Sequence, residues 1–167
     1  MEGLDASPGA ATAFAVDKML GRLARWLRIL GHDVAYGPHL SGRTLVERAR
    51  RERRLLLTRD TRLLRDPHLP PHVFITSDHH REQLRQLAGV VPLGAGFLRR
   101  CLDCNRTLET VARDDVRNAV PAYVFATQEH FQRCPHCGHV YWPATHRDHM
   151  RAELAALGLG AAVEGAA

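Results

Sequence analysis

From Ala13 to about Gly94 the apolar residues of this chain follow two alternating rhythms. Four short runs have the length of strands: "AFAVD" (Ala13 to Asp17), "DVAYG" (Asp33 to Gly37), "LLLTRD" (Leu55 to Asp60) and "VFITSD" (Val73 to Asp78). "GVVPLG", from Gly89, reads as a fifth. Between them the spacing becomes helical. In "KMLGRLARWLRIL" the residues Met19, Leu23, Trp26, Leu27 and Leu30 share one face, and Gly31 stands where a helix ends. "GRTLVERARRER" turns Leu45, Val46 and Ala49 to one side and arginines to the other. "TRLLRD" has room for one or two helical turns, and "HHREQLRQLA" reads as a further helix.

Strands alternating with helices predict βαβ units, a parallel sheet and right-handed crossovers. Near Phe97 the texture changes. Cysteines, turn residues and short strands run to Trp142, followed by a helix from about Thr145 to Leu157. The organisation expected is therefore a sheet domain over 13–96, a small module with a C-terminal helix over 97–157, and flexible tails at 1–12 and 158–167. No internal repeat is present at a solenoid period.

Composition adds a partner class. The chain has 167 residues and a formal net charge of +5, carried almost wholly by arginine, since Lys18 is the sole lysine. Basic excess favours polyanions, and guanidinium fits phosphate geometry; a general bias toward arginine would give the same count. No apolar run approaches the ~20 residues needed to cross a bilayer. The opening residues lack the charged-then-apolar order of a secretory signal, and a cytoplasmic protein is expected.

Three of the strand candidates carry an aspartate where strand gives way to helix: Asp17, Asp60 and Asp78. In an open parallel sheet those ends lie along one edge, where active sites collect. Each alone has an ordinary explanation as a helix N-cap. Together they repel one another unless a cation neutralises them, and hard oxygen ligands suit Mg²⁺ or Mn²⁺. Glu47 could supply a fourth carboxylate. Lys18, Arg22 and Arg25 share one helix face beginning beside Asp17, and Arg59 precedes Asp60. Carboxylates flanked by cations suit phosphodiester hydrolysis; a solvated basic helix face is the plainer reading, and it is the one preferred for "RARRERR".

"CLDC" and "CPHC", Cys101-x-x-Cys104 and Cys134-x-x-Cys137, have the spacing of two zinc knuckles. Four thiolates close the coordination sphere, so the zinc would be structural, in place of a core this small module lacks. His136 and His139 are alternative ligands, and free or redox cysteines the competing reading. Gly138 follows the second knuckle, where a left-handed residue closes the turn. Tyr141, Trp142 and His146 in "VYWPATH" could contact RNA, or the aromatics could pack the ribbon onto the sheet domain.

"FAVDKMLGRLARWLRILGHDV", "ERRLLLTRD", "RCLDCNRTL" and "CPHCGHVYWPATH" together resemble the PIN-like ribonuclease domain named after the C-terminal part of the exonuclease Mut-seven. The resemblance runs from about Phe14 to about Leu154. It implies a PIN-like three-layer α/β/α sandwich with a parallel sheet and a C-terminal Cys₄ zinc ribbon. It also implies a divalent-metal-dependent endoribonuclease; on the reading of the residues above, Asp17, Asp60 and Asp78 would hold Mg²⁺ or Mn²⁺, with Glu47, one turn into the second helix, as a substitute for the acid expected at its start. Its partner would be RNA, with the ribosome or tRNA as specific forms, contacted through Lys18, Arg22, Arg25, Arg59 and His146. One departure stands out. Members usually carry acids at the start of the second helix, in a pattern like D-D-x-x-L; here the stretch is "SGRTL", with Arg43 among the replacements. A non-catalytic RNA- or ribosome-binding protein on the same fold is the alternative, and a protein–protein adaptor a third.

Overall fold

The structure, a computed structural model, describes residues 12–143 and 145–164, without the side chains of Thr145, His146 and Glu164. Four short strands, β1 (Phe14–Val16), β2 (Val34–Ala35), β3 (Leu55–Thr58) and β4 (His72–Phe74), pair in parallel in the order β2-β1-β3-β4. Ala15 is level with Leu56, and Leu57 with Val73. The strands are short, and their period-two alternation explains how such an uninterrupted apolar run is used. Phe14, Val16, Leu55, Leu57 and Val73 face α1 (Gly21–Ile29) and α3 (His80–Ala88); Ala15 and Leu56 face Leu45, Val46 and Ala49 of α2 (Gly42–Arg51). Both faces of "LLL" are covered, as its lack of polar alternation predicts. Each such leucine contributes about 1.5–3 kcal/mol on burial. The result is the three-layer α/β/α arrangement.

Two sequence expectations are corrected. β4 ends at Phe74 rather than running to Asp78. β3 stops at Thr58, so beyond Ile75, whose amide bonds Thr58 O, no strand neighbour remains. The Gln86 side chain takes over instead, accepting from the Thr76 amide and donating to Phe74 O. "GVVPLG" is a loop. Pro92 has no N–H to give a ladder, Val91 is sunk into the main core, and the Gly94 amide donates to Nε2 of buried His32. Burial lowers the pKa of His32, keeping it neutral with its Nδ1–H directed at Thr12 O.

The cysteine segment forms a three-stranded antiparallel sheet, β5 (Glu109–Val111), β6 (Phe131–Arg133) and β7 (Val140–Tyr141), with α4 (Ala122–Thr127) between the first two. The following helix, α5 (Thr145–Ala156), places Met150 and Leu154 in the main core, and Glu153 accepts hydrogen bonds from Arg81 and pairs with His80. The expected C-terminal tail is ordered as far as it is described: α6 (Ala161–Glu164) buries Val163 in the same core. Residues 1–11 and 165–167 of the expected tails lie outside the described residues.

Candidate functional site

The chain passes from β1 to β2 on one side, then returns across β1 to β3 and β4. The switch point is therefore the crevice at the carboxyl ends of β1 and β3. Asp17 and Asp60 stand there, immediately after β1 and two residues after β3.

Asp17 is 3% exposed and has no ion-pair partner among the described residues. It occupies the N-cap position of a 3₁₀ turn (Lys18–Leu20) but makes no side-chain cap bond; its backbone carbonyl takes the Leu20 amide. Its carboxylate accepts a hydrogen bond from the Thr58 hydroxyl at 2.9 Å. Thr58, fully buried, also accepts from the Asp60 amide at 2.9 Å, so one hydroxyl ties both acidic strand ends together. Thr58 was not singled out from sequence. The signal was there: a hydroxyl ending a strand covered on both faces must find a partner inside.

Asp60 does have a local duty. Its Oδ1 accepts from the Arg62 amide, closing an Asx turn, and the Arg62 guanidinium grips both oxygens at 2.9 and 2.8 Å. That grip, the amide bond and the charge of Lys18 hold the Asp60 carboxyl down to about 2. The field of Asp17 also acts on Arg62 and helps raise its pKa. Arg62, which sequence reasoning passed over, is thus the resident counter-ion of the crevice, and at 83% side-chain exposure it is free to swing away.

The other two acids are turned to other arginines. Asp78 lies four residues beyond β4 and pairs with Arg59. It does not cap α3, whose N-cap position is His79. Glu47 pairs with Arg43 at 2.8 Å on the exposed face of α2, whose start is closed by a Ser41–Thr44 capping box. Asp17, Asp60, Asp78 and Glu47 do not draw three ligand atoms within 4.8 Å; among the described residues only the cysteines do. Of the RNA contacts predicted, Lys18, Arg22 and Arg25 are exposed and outside any ion pair among the described residues. Arg59 is engaged by Asp78, and the His146 side chain lies outside the described residues.

The thiols form a finished centre. All four Sγ atoms lie within 4.8 Å of one another, with Cys101–Cys137 at 3.6 Å and Cys104–Cys134 at 3.2 Å. A tetrahedron with Zn–S near ~2.3 Å has edges of about 3.8 Å, so the set suits a structural metal such as zinc. Each knuckle closes the same way. The amides of Asn105 and Gly138 bond back to Cys101 O and Cys134 O, and both residues are left-handed, at φ 68° and 75°. Burial pushes the Cys101 thiol up, but hydrogen bonds from the Tyr141 hydroxyl and from the amides of Cys104 and Asp103 outweigh it and bring it to about 6. Burial drives Cys104 the other way, to about 12.

The first knuckle is bolted to the parallel sheet. Buried Arg28 donates to Leu102 O, Asp103 O and Val34 O. The Asn105 amide group accepts from the Val34 N–H and donates to Asp33. These two residues were also missed. Arg28 follows the apolar stripe of its helix and reads from sequence as one more arginine.

No curated protein and no solved structure matches the chain. The family of the Mut7-C RNAse domain matches residues 12–154, from β1 through the second knuckle into α5, and the chain therefore belongs to that family.

Proposed function

We propose that this protein is a divalent-metal-dependent endoribonuclease whose site is the β1/β3 crevice. The observation that carries the reading is Asp17. A buried carboxylate held by a single hydroxyl costs stability, and neither a turn nor a cap uses it, which leaves a functional use for its charge. Asp17 and Asp60 on adjacent strands make a two-carboxylate donor set of hard oxygens, and Mg²⁺ is commonly held by one or two carboxylates plus substrate phosphate. Such an ion would activate water and neutralise phosphoryl oxygens. Thr58 fixes the orientation of Asp17 and the backbone of Asp60. Lys18, beside the crevice, and Arg22 and Arg25 further along α1 hold successive phosphates of the strand. Arg62, exposed and paired with Asp60, would be released by a cation at Asp60 and so be available to a scissile phosphate. Asp78 and Glu47 are ligands only if their arginines let go.

One observation favours the second reading, an RNA-binding protein that does not cut: Asp60, Asp78 and Glu47 are each neutralised by an arginine. Asp17→Asn separates the two. Asn keeps an acceptor for Thr58 and removes the charge. The nuclease reading expects Mn²⁺- or Mg²⁺-dependent cleavage of single-stranded or structured RNA to fall at least about 100-fold. Metal-free stability should rise by about 1 kcal/mol in urea titrations. Absence of cleavage by the parent in either metal, on either kind of RNA, would leave the non-catalytic reading.

A further inference from the structure

Two open cavities flank Trp142 on the ribbon, of about 400 and 500 Å³, and share Trp142, Pro143 and Arg147 as a common wall. They lie away from the carboxylate crevice. The first is lined by Phe97 to Arg100, whose backbone is bonded to Ile29 and whose Arg100 side chain is bonded to Gly31 O. That is the far end of α1 from Asp17, a helix roughly 14 Å long. Nothing in the nuclease reading uses this surface.

Its chemistry is one-sided. Arg99, Arg147 and Arg151 line the two cavities, and none is in an ion pair among the described residues. Among the described residues, Asp148 is the one acid in either wall. The guanidiniums of Arg147 and Arg151 lie over the Phe97 ring, at 5.8 and 5.4 Å from its centroid. The Nε of Arg147 is buried with no hydrogen-bond partner among the described residues. Tyr123, on the rim of the second cavity, is 77% exposed, and Trp142 is half-buried between the two. Unpaired arginines interleaved with accessible aromatic planes form a stacking platform with phosphate clamps. An apolar peptide has no use for the cations, and an A-form duplex keeps its base faces stacked and out of reach.

We propose that this double groove binds single-stranded RNA, with bases stacked on Trp142 and Tyr123 and phosphates on Arg99, Arg147 and Arg151. The site is separate from the catalytic crevice, and a chain that cut nothing would still bind RNA here.

The test uses the full zinc-loaded chain, without added Mg²⁺ or Mn²⁺, and a fluorescein-labelled 12-nucleotide single-stranded RNA read by anisotropy. Tyr123→Ala and Trp142→Ala should each weaken binding about tenfold through lost stacking. Arg147→Ala and Arg151→Ala should each flatten the log–log salt dependence by about 0.7, whereas Arg117→Ala, on the same ribbon outside the groove, should not. Trp142 also packs beside Val116 and Phe131, so the highly exposed Tyr123 is the variant that keeps the test valid if Trp142→Ala misfolds. Photo-crosslinks from a 4-thiouridine version of the RNA should fall on peptides containing Tyr123 or Trp142. Unchanged affinity in Tyr123→Ala and Arg151→Ala, crosslinks confined to α1, tighter binding of duplex RNA, or displacement of the RNA by an acidic peptide at lower concentration would each overturn the proposal. Cleavage enters none of these readouts, so failure of the nuclease reading and failure of this one are told apart.

Discussion

The four thiols and the four carboxylates are both sets of groups able to ligate a metal, and the fold treats them in opposite ways. The thiols are brought together by two tight turns of the same design, and the neighbouring Arg28 guanidinium donates its hydrogen bonds to the backbone carbonyls of Leu102, Asp103 and Val34. The carboxylates are dispersed, and three of the four hold an arginine. A structural centre must be complete for the segment to fold, so its geometry is built into the local chain. A site of the kind proposed for the acids, exchanging metal, water and phosphate, would have to exist without them, and repelling acids then need internal counter-ions. Asp17 is the exception on the acidic side: its geometry is fixed by Thr58, while its charge has no arginine ion-pair partner among the described residues.

The comparison breaks most visibly at the thiols. Cys134→Ser should abolish stoichiometric zinc, from one per chain in the reduced parent to less than half an equivalent by elemental analysis. The stability lost should be several kcal/mol, given that structural zinc contributes about 10–16 kcal/mol in isolated fingers. The damage should not stop at the ribbon. Arg28 and Asn105 hang the first knuckle on β2, and Arg28 would lose carbonyl partners while remaining buried. The melt of the whole chain should therefore shift to lower temperature. A parallel-sheet region that kept the parent's melting temperature would show the knuckle to be an appendage.

At the carboxylates the informative break is Arg62→Ala. If Arg62 is the resident counter-ion of the crevice, its removal should raise Mn²⁺ affinity about fivefold, on the scale of losing one surface ion pair, as read by electron paramagnetic resonance of free Mn²⁺. The pH dependence follows from Asp60. Its folded pKa of about 2 lies below the ordinary value of 3.8, so the pair's contribution is complete above about pH 4 and lost as the pH falls through 2. The stability difference between parent and Arg62→Ala should close over that window. A gap that persisted well below pH 2 would mean that Arg62 acts by packing, and unchanged Mn²⁺ affinity would place the ion elsewhere.

How much of this was legible in the sequence follows from the range of the interactions. The knuckles were readable because x-x spacing and the turn that closes it are local. The layers were readable because "AFAV" and "LLL" alternate faces strictly. Asp17 was readable because β1 ends one residue earlier. Asp78 was misplaced because the end of β4 depends on where β3 stops and on Gln86 of α3, twelve residues beyond Phe74. Arg59 was read as a phosphate contact and is spent on Asp78, nineteen residues on. Thr58, Arg62, Arg28 and Asn105 were passed over. In each case the residue type is ordinary and its partner is supplied by the fold, or, for Arg62, by a turn whose closure is not evident in "TRDTR".

The smallest change in stability and the finest division of the acids come from Arg43→Asp. The variant restores an acid near the start of α2, where "SGRTL" departs from the usual family pattern. Its energetic terms nearly cancel. Losing an exposed Arg43–Glu47 pair costs about 0.3–0.5 kcal/mol, and the new Asp repels Glu47 at i,i+4 by a similar amount. An acid in the first turn regains about 0.3–1 kcal/mol from the helix dipole. Thermal melts without metal should therefore agree within about 0.5 kcal/mol. The effect on the crevice need not be small. α2 follows β2 in a parallel sheet, so its first turn stands at the edge that carries Asp17 and Asp60, and the substitution both adds a carboxylate and releases Glu47. Higher Mn²⁺ affinity and faster RNA cleavage than the parent would make α2 the third wall of the site and Arg43 a restraint on the parent. If Arg43→Asp changed neither while Arg62→Ala raised Mn²⁺ affinity, Glu47 would be ordinary helix surface, and the donor set would be Asp17 and Asp60 alone, with Thr58 between them.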